Sequence, residues 1–134
     1  MSIAVLCILI AVLLPPVTMG LSKFSSVGSY DNAKPRDWAA TQTGWRLRAY
    51  WAQNNHFEAL PGFAAAVILC LIAGVDRSWL DQWAMIFIAI RLVYTAIYLA
   101  GIAPLRTLVW LGGSAVVIWM FIKAATALAA VAPV

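Results

Sequence analysis

Four long apolar stretches, at residues 3–21, 45–74, 81–100 and 104–130, are separated by two short polar breaks and one longer polar tract. Each approaches or exceeds the roughly 20 residues that cross a bilayer core about 30 Å thick. The pattern predicts four membrane-spanning helices forming a single domain over residues 1–134. The first stretch has the length of a secretory leader. No Lys or Arg precedes it and no clean small-x-small cleavage site follows, so a retained span is expected. Within it, Pro15-Pro16 removes backbone donors and is expected to kink the helix, a defect that neighbouring helices must cover.

The tract at 22–44 differs in kind. Ser25-Ser26, Gly28, Tyr30-Asp31-Asn32 and Lys34-Pro35-Arg36 supply turn chemistry and charge, so the tract reads as a long loop. The second stretch opens amphipathic at Trp45 and is uniformly apolar from Phe63 to Ala73. A turn is expected at 75–80, carrying Asp76 and Arg77, and a tight connection at Gly101-Ile102-Ala103-Pro104.

Composition narrows the class. Hydrophobic residues make up 64% of the chain and charged residues 10%, against about 45–50% and 25% in soluble proteins. So short a chain cannot hide that much apolar surface in one core, which excludes a water-soluble globule and makes lipid the solvent. The fold class is all-α, an integral membrane four-helix bundle. The net charge of +4 is scattered along apolar runs instead of lying on a polar face, which sets nucleic acid aside. Lys23, Lys34, Arg36, Arg46 and Arg48 flank the first connection and Arg106 the third, whereas only Arg77 flanks the second. Excess Lys and Arg marks cytoplasmic loops, so both termini are expected on the opposite side. Trp38, Trp45, Trp51, Trp79, Trp83 and Trp110 fall near the predicted span ends and read as interfacial anchors. Cys7 and Cys70 lie in apolar runs without a CxxC spacing and read as packing thiols.

The candidate chemistry is confined to a few polar side chains inside these runs. Arg48, Asn55 and Glu58 fall at i, i+7 and i+10, on one helical face. An ionised Glu58 at membrane depth is costly without a partner, so it must face protein or a wet cavity, or pair with an arginine of a neighbouring helix. Arg91, Tyr94 and Tyr98 at i, i+3 and i+7 form a second polar stripe. Counting about 1.5 Å per residue from the outer ends of the spans places Tyr98 level with Glu58 and Arg91 deeper, so Asn55, Glu58 and Tyr98 are expected to line one pocket. Arg106, two residues after Pro104, stands where a cation reaches the mouth of such a pocket or serves as a topology anchor. His56 points about 100° away from Asn55 on a helix, and no second metal ligand is spaced to join it, so no metal site is expected. No Ser/His/Asp arrangement or phosphate-cradling glycine loop is present.

Taken in order, Tyr30-Asp31-Asn32-Ala33-Lys34-Pro35-Arg36, Ala52-Gln53-Asn54-Asn55-His56-Phe57-Glu58-Ala59-Leu60-Pro61, then Arg91, Tyr94, Tyr98 and Ala103-Pro104-Leu105-Arg106 resemble the MAPEG proteins. These are membrane-associated proteins in eicosanoid and glutathione metabolism, and the likeness is to their bacterial branch. The resemblance implies a homotrimer of four-helix protomers in a bacterial inner membrane, with glutathione as co-substrate held between subunits near the cytoplasmic face. It further implies that Asn55 and Glu58 contact the tripeptide, that Tyr94 and Tyr98 line its site, and that Arg106 stabilises its thiolate. A guanidinium beside sulfur favours the anionic form. Arg48 and Arg91 join the expected glutathione-binding set, since the tripeptide carries two carboxylates. Eukaryotic members place an arginine seven residues before the glutamate, where this chain has Trp51 and carries Arg48 one turn earlier.

Two functions compete at this stage. The first is a glutathione-dependent membrane transferase or peroxidase acting on a hydrophobic small molecule from the bilayer. The second is a non-catalytic oligomeric membrane protein, a scaffold or a lipid or quinone binder, in which Glu58 and Arg91 only join helices. A small transporter is disfavoured, because the charged residues gather near one side, and inverted repeats would have favoured it.

Overall fold

In lipid every backbone donor and acceptor must be satisfied within its own segment, so uninterrupted apolar runs fold as helices. The computed structural model describes residues 2–26 and 28–131, and among these no strand occurs. The single-domain expectation also covers Met1, Val27 and residues 132–134, which lie outside the described residues. The elements are α1 (Ile3–Phe24), α2 (Pro35–Ala40), α3 (Gly44–Ile72), α4 (Arg77–Ala100) and α5 (Ala103–Val131). Four of them, all but α2, are long and apolar enough to cross a membrane. Helix α1 continues through Pro15-Pro16, and Pro15 is buried against its neighbours.

Two local expectations are corrected. The tract at 22–44 is not all loop, because α2 forms within it. Pro35 occupies the start of that helix, where its missing N–H has no intrahelical role, and Asp37 favours the first turn. Trp38 and Ala39 then bury against Met19, with Tyr30 meeting the Trp38 ring edge-on at 5.0 Å. The expected turn at 75–80 is shorter than predicted. The Asp76 carboxylate accepts from the Trp79 N–H at 2.9 Å, so α4 begins at Arg77.

Charged side chains fasten both ends of this bundle. At one end the Asp81 carboxylate of α4 accepts from the Ala4 N–H at 2.7 Å and the Ser2 hydroxyl at 3.5 Å, capping the start of α1 from a neighbouring helix. At the other end two arginines at the start of α3 reach the C-termini of two antiparallel neighbours. Arg46 donates to the Ser25 carbonyl at 2.7 Å, and Arg48 Nε donates to the Leu99 carbonyl at 2.9 Å. Cations suit the exposed carbonyls there. Gly101 ends α4 at φ +81°, and a Cβ on it would stand 3.2 Å from Arg48 Cζ. The close approach of the guanidinium therefore adds to the conformational demand for glycine.

The apolar core lies toward the end where α3 finishes and α4 begins. Phe63 stacks on Phe87, ring centroids 4.0 Å apart and planes 10° from parallel. Around them pack Ala66, Val67 and Cys70 of α3, Leu80 and Ala84 of α4, Met120 of α5, and Cys7 and Ala11 of α1. Both cysteines are buried, and the Cys70 thiol donates to the Met120 carbonyl at 3.3 Å. Large side chains such as Leu9, Val17, Ile72 and Leu108 point outward, which in lipid is their favourable environment.

Candidate functional site

The antiparallel register of α3 and α4 decides which polar residues meet. With Phe63 against Phe87 and Arg48 at Leu99, the middle of the pair brings Arg91 opposite Asn55 and His56. Arg91 is buried, and all of its side-chain hydrogen bonds among the described residues go to neutral groups. Its Nη2 donates to Asn55 Oδ1 at 3.0 Å and approaches His56 Nδ1 at 2.8 Å, and its Nε donates to the same Nδ1 at 3.2 Å. The Tyr94 ring lies 4.4 Å from its Cζ, a cation–π contact within one helix face. The Asn55 amide then donates to Glu58 Oε2 at 3.3 Å. The arginine and the carboxylate are therefore joined through an amide.

These groups border a cavity of about 230 Å³ between α3, α4 and α5. Its walls are Asn55, Glu58, Ala59 and Gly62 of α3, Phe87 and Arg91 of α4, and Trp110, Gly113, Ser114 and Val117 of α5. The space exists because facing positions are small. Gly62 and Gly113 contribute no side-chain bulk to its walls, and a Cβ would touch Val117 of α5 at 3.7 Å on the first and Ile90 of α4 at 3.5 Å on the second. Glu58 is exposed at the middle of α3.

From Arg91 a ladder of cations and rings runs toward the end of α4. Tyr94 meets Tyr98 edge-on at 5.4 Å, and Arg106 of α5 places its Cζ 4.9 Å from the Tyr98 ring centre. A positive group thus stands at each end of two phenols in edge-to-face contact. On the other side of α3 a second, wider cavity of about 590 Å³ is bordered by Lys23, Arg36, Tyr50, Gln53, Asn54 and Phe57 among others. Helix α3 therefore turns a polar face to each of two recesses.

A family model described as the MAPEG family matches residues 1–126 of the 134. The chain belongs to the MAPEG family. No curated protein and no solved structure matches it. Membership supports a membrane protein of glutathione-related chemistry in general.

In this MAPEG chain the residues singled out from sequence separate into three places. Asn55, Glu58 and Arg91 border the inner cavity; Tyr94, Tyr98 and Arg106 form the ladder beside it; Arg48 is fastened to the Leu99 carbonyl. The expected depth order is corrected. Arg91, not Tyr98, stands at the level of Asn55 and Glu58, whereas Tyr98 is the neighbour in sequence of Leu99, which meets Arg48. The shift arises because α4 starts at Arg77 and not at residue 81, which slides its polar stripe along α3.

Sequence reasoning missed three contributors. His56 is buried, and both of its ring nitrogens have partners on α4. A broad guanidinium spans adjacent helix positions, so Asn55 and His56 reach one arginine although their Cβ directions diverge. Trp110, expected as an anchor, forms part of the cavity wall with Ser114. Their spacing of i and i+4 on α5 was the signal available.

Proposed function

We propose that this protein is a glutathione-dependent membrane transferase or peroxidase acting on a hydrophobic electrophile that enters from the bilayer. One observation carries the reading. Arg91 is a buried cation with only neutral hydrogen-bond partners, its Nη1 takes no part in the network among the described residues, and it borders a cavity that also holds the Glu58 carboxylate. A cation held this way favours an anionic ligand, and a nearby carboxylate favours an ammonium on the same ligand. Glutathione offers both groups.

In this reading Arg91 takes a carboxylate, Asn55 and Glu58 contact the tripeptide, and Glu58 accepts from its ammonium group. Tyr94 and Tyr98 line the site. Arg48 offers its terminal guanidinium N–H donors to the second carboxylate, its Nε being engaged by Leu99. Arg106, the proposed catalytic residue, favours the thiolate, whose sulfur attacks the electrophilic carbon as the leaving group departs with its bonding pair, or attacks a peroxide oxygen as the O–O bond breaks. The assembly is a homotrimer, which covers the exposed Glu58 at membrane depth and holds glutathione between neighbouring subunits. The membrane is a bacterial inner membrane. Lys23, Lys34, Arg36, Arg46, Arg48 and Arg106 gather at one end of the bundle, and only Arg77 and Lys123 at the other, so both termini lie outside the cytoplasm.

The test is thermal unfolding of the detergent-purified protein with and without millimolar glutathione, because a ligand that binds only the folded state raises its stability. Stabilisation is expected. No stabilisation at any concentration favours the scaffold or the lipid or quinone binder. For the catalytic role, Arg106→Leu is expected to reduce turnover more than binding and to let the bound thiol titrate as a free thiol does, read from thiolate absorbance. An unchanged titration and rate reduce Arg106 to a topology anchor.

A further inference from the structure

We infer that His56 is a positioning residue, whose imidazole holds the Arg91 guanidinium at the cavity wall. Its two ring nitrogens join two different points of α4. Nδ1 lies 3.2 Å from Arg91 Nε and 2.8 Å from Arg91 Nη2, and Nε2 lies 2.9 Å from Thr95 Oγ1. The Thr95 hydroxyl in turn donates to the Arg91 carbonyl at 2.8 Å.

Donor and acceptor roles around this loop are fixed by one member. A guanidinium has only donors, so Nδ1 must accept. The ring is then the neutral form with its proton on Nε2, an assignment that follows from the bond network. Nε2–H donates to Thr95 Oγ1, and the Thr95 hydrogen goes to the Arg91 carbonyl. The circuit starts at the Arg91 side chain and returns to the Arg91 backbone, with both ring nitrogens and the Thr95 hydroxyl satisfied.

Such a closed circuit fixes the guanidinium in position and orientation. Without it, Arg91 would keep the Asn55 carbonyl and the Tyr94 face, both of which allow the long side chain to rotate. The effect reaches Glu58, because the Asn55 amide is oriented by accepting from Arg91 through Oδ1, which turns Nδ2 toward the carboxylate. His56 borders no part of the inner cavity itself. It acts on a ligand through Arg91 and Asn55, as buried partners do when they orient the groups that touch a substrate.

The inference rests on the glutathione reading for its functional consequence, and its geometry can be tested without a ligand. The chain has a single histidine, so nitrogen-15 labelling of histidine, with any purification tag removed, gives the spectrum of His56 alone. A protonated Nε2 and a bare Nδ1 at neutral pH are expected. A ring protonated on Nδ1, or on both nitrogens, overturns the clamp. With ligand, His56→Leu is expected to weaken glutathione binding about tenfold, the scale of one charged hydrogen bond. His56→Gln offers an oxygen to Arg91 and an amide to Thr95, and is expected to bind glutathione like the parent. Equal binding by the Leu and Gln variants, whether strong or weak, overturns the positioning role. Should His56→Leu fail to assemble, Thr95→Val removes only the far end of the clamp, and an undiminished affinity in that variant overturns it too. Absence of glutathione binding in the parent protein, together with the Nε2–H spectrum, contradicts the glutathione reading and leaves the hold on Arg91 supported.

Discussion

Helices α3 and α4 pack against each other along two halves that obey different rules. Toward the α3–α4 turn the contact is dry and apolar, with Phe63 stacked on Phe87 and Val67, Leu80 and Ala84 closing around them. Toward the other end it is a hydrogen-bonded mesh of Arg91, His56, Asn55, Thr95 and Glu58 beside a cavity. Lipid tails are as apolar as leucine, so the first half holds together by close packing. The second half places a buried charge in a medium that disfavours it, and structure alone would be served as well by apolar residues of similar volume. The contrast teaches that the polar half is where a ligand is to be sought.

The largest expected effect lies in the apolar half. Phe63→Ala removes one partner of the stack and leaves a void, so unfolding in detergent should show a loss of about 3–5 kcal/mol. Among molecules that stay folded, glutathione affinity should be close to that of the parent. A loss confined to binding would erase the contrast between the halves.

Glu58→Gln addresses the polar half. If the carboxylate accepts hydrogen bonds from glutathione, binding should weaken by about 1–3 kcal/mol while the unliganded unfolding midpoint and the proposed trimer stay unchanged. Titration calorimetry beside thermal unfolding separates this from a structural role, for which the unliganded protein would be destabilised and affinity retained.

The smallest effect belongs to the far end of the bundle. Asp81→Ala deprives α1 of its cap from a neighbouring helix and should cost about 1 kcal/mol, with no change in ligand response. Faster hydrogen exchange limited to the first turn of α1 is the accompanying sign. Exchange that also quickens around Arg91 would mean that the two halves are coupled.

Much of this architecture was legible in the chain. Runs of apolar residues of bilayer length report helices directly, because lipid leaves the backbone few alternatives. Turn composition does not reveal α2, whose Trp38 and Ala39 bury against Met19 near the end of α1. The polar stripes of Asn55 with Glu58 and of Arg91 with Tyr94 and Tyr98 were readable from spacing within each helix. How the stripes meet was not, since a shift in where α4 begins slides one helix along the other. Asp76 sets that start by accepting from the Trp79 N–H, a local bond that the count from span ends overlooked. The role of His56 is hidden for a related reason. Helical periodicity describes one helix at a time, whereas the role of His56 is defined by Arg91 and Thr95 on another.

The central claim is that glutathione binds beside Arg91 in the polar half. Crystals of the detergent-solubilised protein grown with glutathione test it most directly. The account predicts tripeptide density in the recess between α3, α4 and α5, with a carboxylate on Arg91 and the ammonium group near Glu58. Well-ordered density for glutathione elsewhere, or a recess filled by a lipid chain at saturating glutathione, would contradict it.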